Sequence, residues 1–124
     1  MEVKGLDPQS NLKHMCELID RVAADGNHDL IVFPELANSG YIKTGDPEFR
    51  QDYLRCGEKI PGTFTNKLGE QAKKYGTYIV SGLLETHPHI PYALYNSAVL
   101  IGPSGDIIGV QHKIPLPLPE RNFF

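Results

Sequence analysis

A short apolar run that ends abruptly at Pro34 constrains the fold of this chain more than any other feature. Residues 30–33 (LIVF) are all branched or aromatic, and no polar residue interrupts them. Runs of this length and composition are typical of strands that are buried on both faces. Pro34 cannot donate a hydrogen bond to a neighbouring strand, so it marks the end of pairing. The sequence therefore predicts a sheet with a buried strand at 30–33.

Glu35 follows Pro34 directly and so lies at the carboxyl end of that predicted strand. Open α/β sheets bind their ligands in crevices at the carboxyl ends of strands. A carboxylate at such a mouth is partly removed from water, and we expect this desolvation to suit it to accept a proton. Glu35 is therefore a candidate general base.

The length and composition indicate one α/β domain over residues 1–124. The net charge of −3 gives no electrostatic reason to expect nucleic acid or an anionic membrane as a partner. No apolar stretch approaches the ~18 residues that a membrane helix needs. Two cysteines, Cys16 and Cys56, form no disulfide framework. We therefore expect a cytoplasmic protein.

Hydrophobic periodicity and turn residues predict three helices and four strands. Apolar stripes at helical spacing place helices at 11–25 and 64–75, with a shorter one at 47–55. Besides the strand at 30–33, strands are predicted at 78–84, 94–101 and 107–113. The last two are joined by a turn at 103–106, so we expect them to form a hairpin.

Lys113 is the second candidate catalytic residue, because it lies at the end of a different predicted strand. If both strands lie in one sheet with these ends at the same edge, Lys113 and Glu35 meet at one crevice. The carboxylate can then take a proton from a nucleophile, and the ammonium can stabilise an oxyanion or protonate a leaving amine. A structural ion pair, or two unrelated charges at strand ends, would account for the same residues.

The sequence does not supply a clear nucleophile or metal site. Cys16 falls in the apolar stripe of the first helix and is predicted to be a small buried core residue. Cys56 lies in a turn-rich segment without a nearby histidine, and a nucleophilic role beside Glu35 stays an alternative. His87 and His89 are interpreted as a pair on a surface loop, because no further metal ligands are grouped with them.

An ordered set of motifs resembles the nitrilase, or carbon–nitrogen hydrolase, superfamily. In chain order these are DLIVFPELANSGY, the turn at 60–62, YIVSGLLE, LYNSAVLIGPSGDIIG and HKIPLPLPE, which together cover nearly the whole chain. The resemblance implies an α-β-β-α sandwich. It also implies hydrolysis of nonpeptide carbon–nitrogen bonds through a Glu-Lys-Cys triad and a thioester, with no metal or organic cofactor.

The resemblance assigns roles to three residues of this chain. Glu35 matches the general base, and Lys113 matches the lysine that holds the tetrahedral intermediate. Glu120 is a candidate for the second glutamate that some branches use to position base and substrate. The alternative for Glu120 is a solvated charge beside Arg121.

The resemblance also implies that the chain is part of a larger domain. The family's nucleophilic cysteine lies beyond the lysine, and its first strand precedes the first helix, and neither has a counterpart here. We therefore expect a partial sandwich, truncated at both ends and inactive alone. Family subunits commonly pair, and exposed sheet edges favour association, so we expect a homo-oligomer.

The sequence thus predicts a fragment of an amidohydrolase that acts on a linear amide or an N-carbamoyl compound. Hydrolysis of a nitrile is an alternative within the same family. A noncatalytic module that assembles with itself, or with a separate second half, is the alternative from a different functional class.

Overall fold

The computed structural model describes residues 1–41, 47–117 and 120–122, and two of its three α-helices form the main core with one face of its sheet. The predicted α/β fold class is confirmed. The elements in chain order are α1 (Pro8–Ala24), β1 (Leu30–Val32), α2 (Pro47–Cys56), α3 (Thr63–Tyr75), β2 (Tyr78–Thr86), β3 (Leu94–Ile101), β4 (Ile107–His112) and a 3-10 turn (Glu120–Asn122).

The four described strands form a sheet in the order β1-β2-β3-β4. β1 runs parallel to β2 after a crossover through α2 and α3, with Ile31 opposite Ile79. β2, β3 and β4 are antiparallel neighbours, with Ser97 opposite both Leu83 and His112. The predicted hairpin of β3 and β4 is present. It fixes which side chains share a face, since paired residues point to the same side.

Local signals explain the ends of the two long helices. The Asp7 side chain accepts a hydrogen bond of 3.1 Å from the Ser10 N–H, and Pro8 occupies the first turn, so α1 begins at Pro8 rather than at residue 11. Gly76 ends α3 in the left-handed conformation (φ 64°) that glycine adopts without strain. No helix among the described residues is long and apolar enough to cross a membrane.

Helices α1 and α3 pack on one face of the sheet and form its main core. Fully buried side chains come from both helices and from β2 and β3: Met15, Ile19, Leu68, Ala72, Ile79, Leu83, Val99 and Ile101. Burial of apolar surface of this kind is the main force that holds the two layers together. On the opposite face, Tyr53 and Cys56 of α2 form a second, smaller buried cluster with Leu36, Leu84 and Leu94.

The prediction that the strand at 30–33 is buried on both faces is wrong for the described chain. Leu30 is 53% exposed and Val32 is 64% exposed, whereas Ile31 and Phe33 pack against the helix-side core. Successive strand residues point to opposite faces, and at β1 only the face towards α1 and α3 is covered. The run is apolar on both sides, but only the helix side is covered.

The segment after β1 crosses the sheet at Gly82, on the face opposite α1 and α3. A Cβ atom at Gly82 would lie 2.6 Å from the Glu35 Cα and 2.8 Å from the Pro34 carbonyl oxygen, so only glycine admits this approach. Buried Asn38 then ties the segment to β2, because its Oδ1 accepts the Leu84 N–H at 2.8 Å. These contacts hold Glu35 over the sheet.

Candidate active site

Glu35 and Lys113, which lie 78 positions apart in the chain, meet in the structure. Lys113 Nζ donates a hydrogen bond of 2.7 Å to Glu35 Oε1. Asn96 Nδ2 donates to the same oxygen at 2.6 Å. The backbone N–H of Lys113 also donates to the Asn96 carbonyl at 2.8 Å, which extends the β3–β4 pairing one residue beyond β4. The sheet therefore delivers two donors to one carboxylate oxygen.

Glu120 joins the same group through Lys113. Lys113 Nζ donates to Glu120 Oε1 at 3.0 Å, and the Tyr41 hydroxyl donates to that oxygen at 3.0 Å. The Glu120 side chain is only 5% exposed, so its alternative interpretation as a solvated charge is wrong. Its second oxygen, Oε2, is buried and has no hydrogen-bond partner among the described residues. That oxygen remains able to accept a hydrogen bond.

A cavity of about 280 Å³ lies beside these groups on the face of the sheet opposite α1 and α3. Its size approaches the lower end of the range for small-molecule sites. Its lining combines a polar end with less polar walls: Glu35, Asn96 and Lys113 at the polar end, and Val80, Gly82 and Ala98 elsewhere.

The ion pair controls the protonation of both partners. The hydrogen bond from Lys113 lowers the pKa of Glu35; partial burial opposes this effect, and the Asn96 amide adds to it. The hydrogen bond to Glu35 in turn raises the pKa of Lys113. The expected desolvation of Glu35 is present but outweighed, since its side chain is 47% exposed. Near neutral pH the pair is a carboxylate that can accept a proton beside an ammonium that can donate one.

Asn96 and Tyr41 are members of this group that the sequence did not predict. Asn96 was assigned only to a strand, although a buried amide within an apolar strand needs hydrogen-bond partners and so signals a polar site. Tyr41 follows the turn at 38–40 and carried no signal beyond its hydroxyl. Both contacts depend on the tertiary fold, since Asn96 lies 61 positions from Glu35 and Tyr41 lies 79 from Glu120.

The two thiols are poorly placed for nucleophilic chemistry. Cys56 is buried in an apolar cluster with Leu36, Tyr53 and Leu84, and this burial raises its pKa. Cys16 is half-buried rather than part of the core, so that prediction is wrong, and burial raises its pKa as well. Neither is among the described residues that line the Glu35 cavity. A thiol with a raised pKa carries little thiolate at neutral pH.

The loop that carries His87 and His89 is held by hydrogen bonds from its own backbone. His87 Nδ1 accepts hydrogen bonds from the backbone N–H groups of His89 at 3.0 Å and Ile90 at 2.9 Å. Among residues 1–41, 47–117 and 120–122, no cluster of three or more histidine, cysteine or acidic side chains is arranged to hold a metal ion.

Comparison with known proteins shows which family has this fold and these motifs. The carbon-nitrogen hydrolase family model matches residues 1–123. The chain is 38% identical to a nitrilase of Pyrococcus abyssi over 100% of this chain and 44% of that protein. It is 34% identical to the omega-amidase NIT2 of Mus musculus over 86% of this chain and 35% of that protein.

Solved structures agree with the sequence relatives. The crystal structure of an N-terminal amidase superposes with a TM-score of 0.77 at 25% identity, covering 98% of this chain and 28% of that one. A carbon-nitrogen hydrolase from Helicobacter pylori G27 shares the fold with a TM-score of 0.74, over 99% of this chain and 41% of that one. The chain thus spans less than half the length of these relatives. It belongs to the carbon-nitrogen hydrolase family.

Proposed function

We propose that this chain supplies the general base and the lysine of a hydrolase site that cleaves the carbon–nitrogen bond of a linear amide or an N-carbamoyl compound. The observation that carries the proposal is the 2.7 Å hydrogen bond between Lys113 and Glu35 beside a cavity of small-molecule size. A carboxylate and an ammonium at such a site suit acyl transfer. Relatives that are an omega-amidase and a nitrilase support the reaction class.

In the proposed mechanism, Glu35 takes the proton of a cysteine thiol as the sulfur attacks the substrate carbonyl carbon. The carbonyl oxygen gains the negative charge, and the Lys113 ammonium stabilises it by a hydrogen bond. Collapse of the intermediate breaks the carbon–nitrogen bond, and protonated Glu35 returns the proton to the leaving amine. Water then hydrolyses the thioester with Glu35 again acting as base.

Glu120 is proposed as the second glutamate of the site. Its Oε1 shares the Lys113 ammonium with Glu35, so it restrains the ammonium from a second direction. Its buried Oε2 is free, among the described residues, to accept a hydrogen bond from a substrate N–H.

We propose that the nucleophilic cysteine is supplied from outside residues 1–124, and that this chain alone is inactive. The raised pKa values of both thiols and the chain's short span relative to its relatives support this proposal. No metal or organic cofactor enters the proposed chemistry. Two free cysteines fit a reducing, cytoplasmic compartment.

A noncatalytic module that associates with itself or with a second half is the alternative function. Exposed apolar side chains of the sheet favour it, since Leu30, Val32 and Ile108 are 53%, 64% and 58% exposed. Exposed apolar surface of this kind promotes association, including homo-oligomers. A monomer in sedimentation experiments would contradict this alternative.

Ammonia release from three substrates tests the proposed function: a linear amide, an N-carbamoyl amino acid and an aliphatic nitrile. The assay compares residues 1–124 with the same chain joined to a C-terminal segment that carries a cysteine, here called the completed protein. We expect turnover only by the completed protein, and faster turnover of the amide or carbamoyl compound than of the nitrile. Activity of residues 1–124 that survives the double substitution C16S/C56S would contradict the proposed source of the nucleophile.

A further inference from the structure

We propose that four residues on the helix-covered face of the sheet, Glu85, Tyr95, Ser97 and His112, position the two side chains that contact Glu35 on the opposite face. We call these four residues the rear cluster. The catalytic meaning of this positioning rests on the proposed function of Glu35, whereas the positioning itself does not.

The rear cluster is centred on one buried carboxyl oxygen. The Ser97 hydroxyl donates to Glu85 Oε2 at 2.6 Å, and His112 Nε2 bonds to the same oxygen at 2.9 Å. The Tyr95 ring stacks on the His112 ring, with centroids 4.0 Å apart and planes 14° apart. Because Glu85 lies on β2, Ser97 on β3 and His112 on β4, one oxygen ties three strands together.

The register places the rear cluster directly behind the candidate active site. Ser97 pairs with Leu83, a residue of the helix-side core, so Ser97 and its partner His112 face the helices. Asn96 precedes Ser97, and Lys113 follows His112, so both point to the other face. Those two residues supply the hydrogen bonds to Glu35 Oε1. Each donor to Glu35 therefore adjoins a rear-cluster residue in the chain.

Lys113 depends on positioning by the rear cluster more than Asn96 does. It lies one residue beyond the end of β4, which has only β3 as a described neighbour, and the next residue, Ile114, is 84% exposed. Strand ends at the edge of a sheet open locally at low cost in free energy. Fixing His112 limits this opening and so lowers the entropy cost of holding the long Lys113 side chain on Glu35.

The Glu85 carboxyl group is well suited to this anchoring. Its side chain is 10% exposed, and a buried carboxyl group is costly unless its oxygens are hydrogen-bonded. Separation of His112 from Glu85 would remove one of the two bonds to Oε2. The penalty for exposing or unpairing that oxygen opposes movement of β4 and of the Lys113 that follows it.

Substitutions at His112 separate positioning from simple stabilisation of the sheet. His112→Phe keeps a ring that can stack on Tyr95 but removes the nitrogen that contacts Glu85. His112→Gln keeps a donor near the Nε2 position and removes the ring. Ser104→Ala is the matched control: it removes the 2.8 Å bond from Ser104 to Asp106 at the opposite end of the same hairpin.

The readout is the pKa of Glu35, followed through its carboxyl carbon by NMR in the 124-residue protein. We expect H112F to raise this pKa towards the ordinary glutamate value, because Lys113 and Asn96 lose their fixed positions. H112Q and S104A should titrate as the wild type does. An H112F shift no larger than that of S104A would overturn the proposal, and so would an H112Q shift equal to that of H112F, since loss of the imidazole ring, rather than of its bond to Glu85, would then explain both.

A second variant keeps the test decisive if H112F does not fold. Ser97→Ala removes the other bond to Glu85 Oε2 with little change in volume, and a smaller rise in the Glu35 pKa is expected. No rise in S97A, where H112F cannot be measured, would overturn the proposal. Failure of the completed protein to hydrolyse any substrate would contradict the proposed function, while the Glu35 titration would still decide the positioning.

Discussion

Glu35 and Glu85 are two carboxyl groups on opposite faces of one sheet, and their surroundings differ in every respect that matters for chemistry. The Glu35 side chain is 47% exposed, borders a cavity and contacts an ammonium. The Glu85 side chain is 10% exposed and contacts a hydroxyl and an imidazole. An accessible group with a charged partner can exchange protons with a ligand, whereas a buried group fixes the strands around it. The comparison teaches that exposure and partner type, rather than residue type, separate the two roles.

The same contrast extends to the two faces of the sheet. On the helix side, Ile79, Leu83 and Ile101 are fully buried. On the other side, Leu84 and Leu94 are buried beside α2, but Leu30 and Val32 are largely exposed. The candidate active site lies on this second side, where a ligand or a further layer of protein can approach the exposed part.

The largest effect is expected for Lys113→Met, which removes the ammonium group that contacts Glu35. In the completed protein, kcat/KM should fall by about 10²–10³-fold, the usual cost of losing a donor to a developing oxyanion. Steady-state ammonia release measures this. Lys67, which pairs with Glu70 on the exposed side of α3, provides the control K67M. A K113M protein as active as K67M would place Lys113 outside the catalytic machinery.

Glu85→Ala should destabilise the fold more than Glu35→Ala does. Loss of Glu85 leaves the buried Ser97 hydroxyl unpaired and opens a cavity, which costs about 2–3 kcal/mol. Loss of Glu35 removes contacts of a half-exposed group, which contribute less than about 1 kcal/mol. Urea denaturation of residues 1–124 gives both values. Equal destabilisation by the two substitutions would contradict the claim that Glu85 stabilises the fold more than the accessible Glu35 does.

Gly82→Ala should displace Glu35 without touching Glu85. The new Cβ would lie 2.6 Å from the Glu35 Cα, and relief of that overlap costs about 1–3 kcal/mol of folding free energy. Gly109→Ala is the matched control on β4, because no atom lies within 4 Å of its added Cβ. Denaturation midpoints of the two variants measure the difference. Equal midpoints would show that the crossing segment relaxes freely.

The smallest effect concerns pH. The pKa of Glu35 is lowered in the folded state, so its contribution to stability is present above the unfolded-state pKa and is lost as pH falls through the folded-state value. The pKa of Lys113 is raised, so its contribution is lost only as pH rises through the folded-state value. The stability difference between wild type and E35Q should therefore shrink from about pH 7 to about pH 3. Urea titrations at both pH values test this, and a difference that grows in acid would contradict it.

Much of the fold could be predicted from the sequence because local signals carry it. Pro34, Gly76 and the turn at 103–106 end or join elements within a few residues of where the structure has them. The exposure of Leu30 and Val32 could not be predicted, because burial of a strand depends on which layers cover it. The apolar run itself is the same whether one face or both are covered.

The site was only partly predictable for a related reason. Glu35 and Lys113 are marked by their positions at strand ends, and Glu120 by its place in the family's motif order. Asn96 and the rear cluster depend on the register of β3 against β2 and β4, which no local pattern determines. The lowered pKa of Glu35 likewise depends on a partner 78 residues away.

The most direct test of the central claim is the activity of Glu35→Gln in the completed protein. The amide keeps the size of the side chain and still accepts hydrogen bonds from Lys113 and Asn96, but it cannot take a proton from a thiol. Glu17→Gln, an exposed change on α1, is the control. We predict that E35Q lowers kcat/KM by about 10²–10⁴-fold, whereas its free energy of unfolding falls by less than about 1 kcal/mol relative to E17Q. An E35Q protein with the activity of E17Q would contradict the assignment of Glu35 as the general base.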